Sequence, residues 1–401
     1  MQVIRVLVVD GSRTARTATA ETLATDPGVE VVGTADTGPM AFAKTATLKP
    51  DVVTLDSEVN DGDLVRTVKA LRSTHPPVVV VLVASPTDAG TRTTVEALDA
   101  GIADYVTGPP EPRTAIAVQK MVLAHLLPRV KALTGLAPPI PRRRRPELPP
   151  AARRRAAPAG RPWPDAPPTA PAPGARTDRI SPELAEMLAA SGVELAPGSP
   201  RALKPPRTRP PTVVLIGAST GGPEALAEVV RGLDRNVRTP VLVVQHMPAG
   251  FTQLLAERLD RLTHLTVREA VDGARADPGH LLVAPGGRHM ELHRAGSGLA
   301  VRLTDAPPEQ FVRPAVDVLF RTGAHACRDG VLAVVLTGMG RDGEAGARVV
   351  QEAGGTVIAQ DEATSVVWGM PGCVARADLA DAVLPLPLIG GEVSARLARR
   401  I

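Results

Sequence analysis

Apolar residues fall in short Val/Leu/Ile runs separated by longer stretches of helical spacing. Up to residue 126, runs at Val3–Val9, Val29–Gly33, Asp51–Leu55, Val78–Val83 and Ile102–Val106 predict strands. The intervening and following pattern predicts helices over Arg13–Thr25, Pro39–Leu48, Asp63–Arg72, Asp88–Ala100 and Glu111–Leu127. Continuously apolar strands alternating with helices describe a parallel sheet covered on both faces. A second α/β pattern begins at Thr212. Thr212–Ile216, Val241–Val244 and Val331–Leu336 read as buried parallel strands. Helices are expected over Pro223–Gly232, Gly250–Leu262, Ala315–Ala326 and Gly343–Ala353. The stretch Leu265–Leu303, punctuated by Asp-Gly, Pro-Gly and Gly-Ser-Gly, reads as hairpins inserted in a doubly wound, mostly parallel domain.

Three regions follow, with expected boundaries at 1–127, 128–211 and 212–401. Of the 41 prolines, 20 fall between residues 138 and 211, together with the basic clusters Arg142–Arg145 and Arg153–Arg155. This is linker composition. One island, Ser181–Gly192, carries an N-capping Ser, Pro182 at the first helical position and a terminal Gly, which predicts a short helix near 181–191. The net charge of +4 also belongs to the linker, because residues 138–211 hold 14 basic and 6 acidic side chains. Residues 1–137 hold 13 and 15, and residues 212–401 hold 19 and 21. Two mildly acidic globular regions argue against a nucleic-acid surface. Only Cys327 and Cys373 are present, without Cys-x-x-Cys spacing, so no disulfide framework or structural zinc site is indicated. The most apolar run, Val78–Ala84, is too short to span a bilayer. A soluble, cytoplasmic protein without membrane insertion is expected.

Three polar residues lie beyond predicted buried strands: Ser219, His246 and Asp342. Loops at strand C-termini form the ligand crevice of open α/β sheets. A hydroxyl, an imidazole and a carboxylate there form the minimum set for nucleophilic acyl transfer. Gly217-Ala-Ser-Thr-Gly-Gly222 surrounds the hydroxyl with small residues at a helix N-terminus, which favours a developing oxyanion. The order Ser–His–Asp, without a Gly-x-Ser-x-Gly elbow, departs from ordinary lipases and esterases. A competing motif is Gly338-Met-Gly-Arg-Asp-Gly343, which matches the Gly-x-Gly-x-x-Gly dinucleotide fingerprint, with Asp361 ending the next strand. It would place the Asp342 carboxylate against a pyrophosphate, where like charges repel.

Ile216-Gly-Ala-Ser-Thr-Gly-Gly222, Gln245-His-Met-Pro-Ala-Gly-Phe-Thr252, Ala284-Pro-Gly286, His289-Met-Glu-Leu292, Arg313-Pro-Ala-Val-Asp-Val-Leu-Phe320, Leu336-Thr-Gly-Met-Gly-Arg-Asp-Gly343 and Gly369-Met-Pro371 together resemble the chemotaxis protein-glutamate methylesterases (CheB) over nearly all of residues 212–390. The resemblance implies hydrolysis of glutamate γ-methyl esters, and deamidation of selected glutamines, on chemoreceptor cytoplasmic helices. It implies Ser219 as nucleophile, His246 as general base and acid, and Asp342 as orienting carboxylate. Thr220 and the backbone N–H of Met339 become oxyanion or positioning groups, and Arg313 a contact for the acidic receptor helix. No cofactor is implied for catalysis.

Residues 1–126 resemble a flavodoxin-like response-regulator receiver, which implies a chemosensory histidine kinase as a further partner. The implied phosphoacceptor is Asp56, and Asp10 keeps one member of the acidic pair that with Asp56 would hold Mg²⁺. Gly11 stands at the partner position, Ala84 where a hydroxyl is expected, and Gly108 where the family has lysine. Phosphoryl transfer depends on such positioning and charge neutralisation. A degenerate receiver is therefore expected, with Asp56 phosphorylated slowly or not at all. The tether, roughly 45–50 Å across as a flexible coil, imposes little geometry between the domains. A second reading is a non-catalytic scaffold of a chemosensory array.

Overall fold

The computed structural model describes residues 3–59, 63–74, 78–134 and 210–398. The helix expected near 181–191 and the Arg-rich clusters lie outside the described residues.

The first domain runs β1 (Ile4–Val9), α1 (Arg13–Leu23), β2 (Val29–Ala35), α2 (Gly38–Leu48), β3 (Val52–Asp56), α3 (Leu64–Arg72), β4 (Val79–Ala84), α4 (Asp88–Asp99) and β5 (Asp104–Thr107). Its five strands pair in parallel in the order β2-β1-β3-β4-β5, the flavodoxin-like sheet expected. Local chemistry starts each helix: Ser12, Thr37, Asp63 and Thr87 each accept a backbone N–H at an N-cap.

The last helical segment extends beyond the expected end at Leu127. It consists of α5 (Ala115–Met121), a π turn (Val122–Leu126) and α6 (Leu127–Leu133). Pro128 has no N–H to give a regular helix. The chain widens locally instead, with Leu127 N–H reaching Val122 O, and then continues. The extra turns carry Arg129 toward the second domain.

That domain runs β6 (Val213–Ala218), α7 (Gly222–Arg231), β7 (Val241–Gln245), α8 (Phe251–Asp260), β8 (Thr266–Glu269), β9 (His280–Val283), β10 (His289–Ala295), β11 (Gly298–Thr304), α9 (Val316–Cys327), β12 (Val331–Val335), α10 (Glu344–Glu352), β13 (Thr356–Gln360), α11 (Met370–Arg376), β14 (Ala382–Leu384) and α12 (Leu386–Ala398). Seven strands form one all-parallel sheet in the order β14-β13-β12-β6-β7-β9-β8. Apolar clusters pack on both faces. One hairpin, β10–β11, stands apart from the sheet. The reading of all of Leu265–Leu303 as hairpins is corrected here. β8 and β9 pair in parallel, because the segment between them, with turns at Asp272-Gly273 and Pro278-Gly279, carries the chain back to the edge it started from. Turn residues alone do not distinguish a reversal from such a return.

The two domains meet. Tyr105 on β5 stacks on Phe251 of α8, with ring centroids 4.9 Å apart, a contact worth about 0.5–1.5 kcal/mol beyond its burial. Arg258 on α8 is 4% exposed and donates to Asp99 Oδ1 at the end of α4 and to Glu224 Oε1 on α7, both at 2.6 Å. Ala97, Leu98 and Ile102 join Phe251 and Leu255 in one apolar cluster. Chain length alone gives no reason for this seating. Surface complementarity supplies it.

Gly286 is a place where only glycine fits. A Cβ there would lie 2.2 Å from the carbonyl carbon of Pro248, in the loop after β7. Gly286→Ala is expected to destabilise the second domain by about 1–3 kcal/mol and to lower its melting temperature; an unchanged melting curve would contradict the packing described.

Candidate functional site

Ser219, His246 and Asp342 all lie at the C-terminal edge of the seven-stranded sheet, in loops after β6, β7 and β12. A buried network fixes the first two loops. Ser219 N–H donates to Thr337 O at 3.0 Å, and Gly222 N–H donates to Ser219 O at 2.8 Å. Gln245, 2% exposed, donates from Nε2 to Ser219 O (2.9 Å) and to His246 O (3.4 Å). Thr337 Oγ1 donates to Thr220 O at 3.0 Å. Gly338 permits the close approach of the next loop, since a Cβ there would lie 2.8 Å from Ser219 Cβ.

His246 Nε2 lies 2.8 Å from Asp342 Oδ2. Asp342 is 2% exposed and accepts N–H groups from Val316 (2.6 Å), Asp317 (2.8 Å) and Gly343 (2.9 Å). Val316 and Asp317 open α9, so the carboxylate sits on a helix N-terminus. Burial pushes its pKa up, but the hydrogen bond and charge of His246 and the N–H groups of Asp317 and Val316 outweigh that and hold it below the usual range. It is a carboxylate kept ionised in a dry site. With Nε2 held by Asp342, Nδ1 is the ring nitrogen left for proton transfer. The Ser219 hydroxyl has no hydrogen-bond partner among the described residues, an open geometry that hydroxyl–imidazole pairs often show without substrate.

Sequence reasoning missed Asp317. Its carboxylate accepts the N–H groups of Gly343 (2.9 Å) and Gly346 (2.7 Å), bracing the Asp342 loop from below. Burial first, and then the charge of Asp342, raise its pKa to about 6. It falls within the quoted Arg313–Phe320 motif, on a helix whose apolar spacing gave no sign of a buried carboxylate.

Met339 is 38% exposed. Its backbone N–H and that of Thr220 donate to no protein acceptor among the described residues. Arg313 lines the same cavity as Ser219 and His246, and its Nη1 donates to the carbonyls of Asp305 (2.9 Å) and Ala306 (3.1 Å). It pairs with no carboxylate among the described residues. At the start of α10, the N–H groups of Gly343 and Gly346 that a pyrophosphate would need are taken by Asp317, with Gly343 shared by Asp342, which removes the basis for the dinucleotide reading.

The cavity over Ser219 has a volume of about 410 Å³, and its far wall belongs to the first domain: Asp104, Tyr105, Thr107, His125 and Arg129. Asp104 accepts from Arg129 Nε at 3.1 Å and lines the cavity together with Thr220. Burial raises the Asp104 pKa, against the charge of Arg129 and the hydrogen bonds it accepts. The first domain therefore covers the candidate site.

In that domain Asp56 ends β3, 2% exposed. Its Oδ1 accepts Glu58 N–H at 2.8 Å, and its Oδ2 lies 2.5 Å from Arg113 Nη1. Arg113 also pairs with Glu58 at 3.2 Å. Asp10 accepts Ser12 N–H at 2.7 Å, and burial together with the Asp56 charge raises its pKa to about 7. Burial also raises Asp56, and Arg113 opposes that. The residues present do not fit Mg²⁺ as a receiver would hold it. Two carboxylates remain, with Gly11 at the position of a third, and a guanidinium bonds one of them. Arg113, five positions after Gly108, carried no sequence signal because its partner is distant in the chain.

No helix among the described residues is long and apolar enough to cross a membrane. The family model for the CheB methylesterase domain matches residues 214–393, and that for the response regulator receiver domain matches residues 6–118. A Nocardioides sp. protein named protein-glutamate methylesterase/protein-glutamine glutaminase is 42% identical over 99% of this chain and 96% of its own length. A Maricaulis maris protein of the same name is 38% identical over 98% and 96%. The crystal structure of the Thermotoga maritima CheB methylesterase catalytic domain is 43% identical, covering 46% of this chain and 98% of that one, at a TM-score of 0.45. With near-complete coverage of both chains at this identity, the chain belongs to the CheB methylesterase family, with an N-terminal receiver domain.

Proposed function

We propose that the protein is a protein-glutamate methylesterase and protein-glutamine deamidase acting on chemoreceptor helices, with Ser219, His246 and Asp342 as its catalytic residues. The observation that carries this reading is the buried His246–Asp342 hydrogen bond of 2.8 Å at the strand edge that also presents Ser219. Residues 212–401 are its catalytic unit, and residues 1–127 its regulatory one.

In the reaction, the Ser219 hydroxyl attacks the γ-carbonyl carbon while His246 Nδ1 takes its proton. The tetrahedral oxyanion forms against the free N–H groups of Thr220 and Met339. It collapses by expelling methanol, or ammonia from a glutamine, and the imidazolium protonates the leaving group. His246 then deprotonates a water, which attacks the acyl-serine ester and releases the glutamate carboxylate. Asp342 remains ionised throughout and stabilises the imidazolium. Ester and amide share the route because they differ only in the leaving group. Arg313 presents an uncompensated positive charge to an acidic receptor helix at the cavity wall.

The seated receiver domain holds the enzyme closed, since a receptor helix cannot reach Ser219 past Asp104, Tyr105 and Arg129. A phosphoryl trigger is weak here. Arg113 neutralises Asp56 internally, and the hydroxyl and lysine positions are Ala84 and Gly108. A kinase therefore has little purchase on this receiver, and competition from the receptor itself is the simpler way to open it.

Methanol release from methylated receptor membranes tests the function: wild type should release it, and Ser219→Ala should fall by at least about 10³-fold. Equal release by both, or none by either, would instead support a scaffold. Acetyl phosphate should label wild type slowly or not at all; rapid labelling abolished by Asp56→Asn would defeat the degenerate-receiver reading. Combining Tyr105→Ala with Arg258→Ala should loosen the receiver and raise methanol release several-fold, whereas an unchanged rate would show that the seated domain does not limit access.

A further inference from the structure

Phe311 is the most exposed large apolar side chain among the described residues, at 101% relative exposure, with the receiver in place. Its backbone has φ +66°, and Gln310 before it has φ +50°. Consecutive left-handed residues in a two-residue turn normally call for Asn or Gly. A β-carbon-bearing residue is disfavoured there, and a bulky aromatic most of all. The turn nevertheless closes, with Val312 N–H donating to Glu309 O at 2.9 Å.

The surrounding loop is braced on both sides. Glu309 receives a two-pronged ion pair from Arg321, at 2.7 and 3.2 Å. Fully buried His289 bonds Pro307 O through Nε2 and accepts Ala315 N–H at Nδ1, both at 3.1 Å. Arg313 ties the carbonyls of Asp305 and Ala306. Phe311 is thus presented on a fixed pedestal, against backbone preference and against the tendency of an aromatic ring to leave water. Such strain persists where a site requires it.

The residues that follow Phe311, namely Val312, Arg313 and Pro314, line the cavity with Ser219 and His246. The ring therefore stands at the rim of the catalytic cleft, next to the uncompensated guanidinium of Arg313. We propose that Phe311 is the docking anchor for the substrate helix. It would grip an apolar position on the receptor helix, a turn or two from the modified glutamate on the same face, while Arg313 meets the acidic side chains beside it. Exposed while the receiver is seated, Phe311 engages the receptor first and holds it as the receiver yields. This inference rests on the methylesterase reading above.

The test compares wild type with Phe311→Gly and Phe311→Asn, two residues that tolerate positive φ. Thermal melting and kinetics are measured on methylated receptor membranes and on a γ-methyl-glutamate peptide too short to form a helix. Melting temperatures should hold or rise as strain is relieved. The KM for membranes should rise roughly tenfold, as for loss of an interface anchor, so that kcat/KM on membranes relative to the peptide falls by the same factor. An unchanged ratio in a folded, active variant overturns the anchor alone. Failure of wild type to release methanol from either substrate overturns the methylesterase reading and the anchor with it.

Discussion

A carboxylate taken out of water must have its charge compensated on every side, and the catalytic domain is organised around that requirement at Asp342. The N-terminus of α9 supplies two N–H groups, the loop itself supplies Gly343 N–H, and His246 supplies the remaining contact. Each partner comes from a different part of the chain. Satisfying one carboxylate therefore sets the β12–α10 loop, the start of α9 and the ring of His246 in one arrangement. Asp317 returns the brace by capping Gly343 and Gly346. The two carboxylates repel, and the cost of that repulsion falls on Asp317. Asp342, facing the imidazole, is held low, while burial and the Asp342 charge raise Asp317. The more acidic of the two is the one that faces the His246 ring.

The same logic recurs at the other end of the molecule with a different outcome. Asp56 lies at a strand end as Asp342 lies beyond one, but the cation beside it is an arginine of its own domain. A guanidinium stays protonated at any physiological pH, so the pair is permanent where a metal or phosphoryl group would come and go. Breaking such a buried pair costs about 3–5 kcal/mol. The same domain also presents a surface to the candidate site. Asp104 and Arg129 line the cavity with Thr220, and Tyr105 meets Phe251, across the site's mouth.

Much of the fold was legible because buried parallel strands write themselves as unbroken runs of Val and Leu, and because Ser, Thr and Asp mark helix starts. Ser219, His246 and Asp342 stood out as polar residues beyond such runs. Pairings that no local pattern encodes were not legible. Arg113 is 57 residues from Asp56, and Arg258 is 159 residues from Asp99. Asp317 lies inside a helix whose periodicity speaks only of apolar packing. Glycine punctuation suggested reversal between β8 and β9, although the chain returns in parallel. The length of the tether gave no hint of docking, since an interface depends on surface shape and charge. The pedestal under Phe311 was equally hidden, because backbone strain at a phenylalanine follows from long-range bracing.

As nucleophile, Ser219 would form a covalent acyl intermediate with a receptor glutamate. The most direct measurement is a single-turnover reaction of excess enzyme with methylated receptor, quenched in acid within milliseconds and read by mass spectrometry of the peptide that contains residue 219. A glutamyl ester on Ser219 should rise and decay as methanol appears. Full methanol release with no adduct at Ser219, or with the adduct on another side chain, would contradict that role.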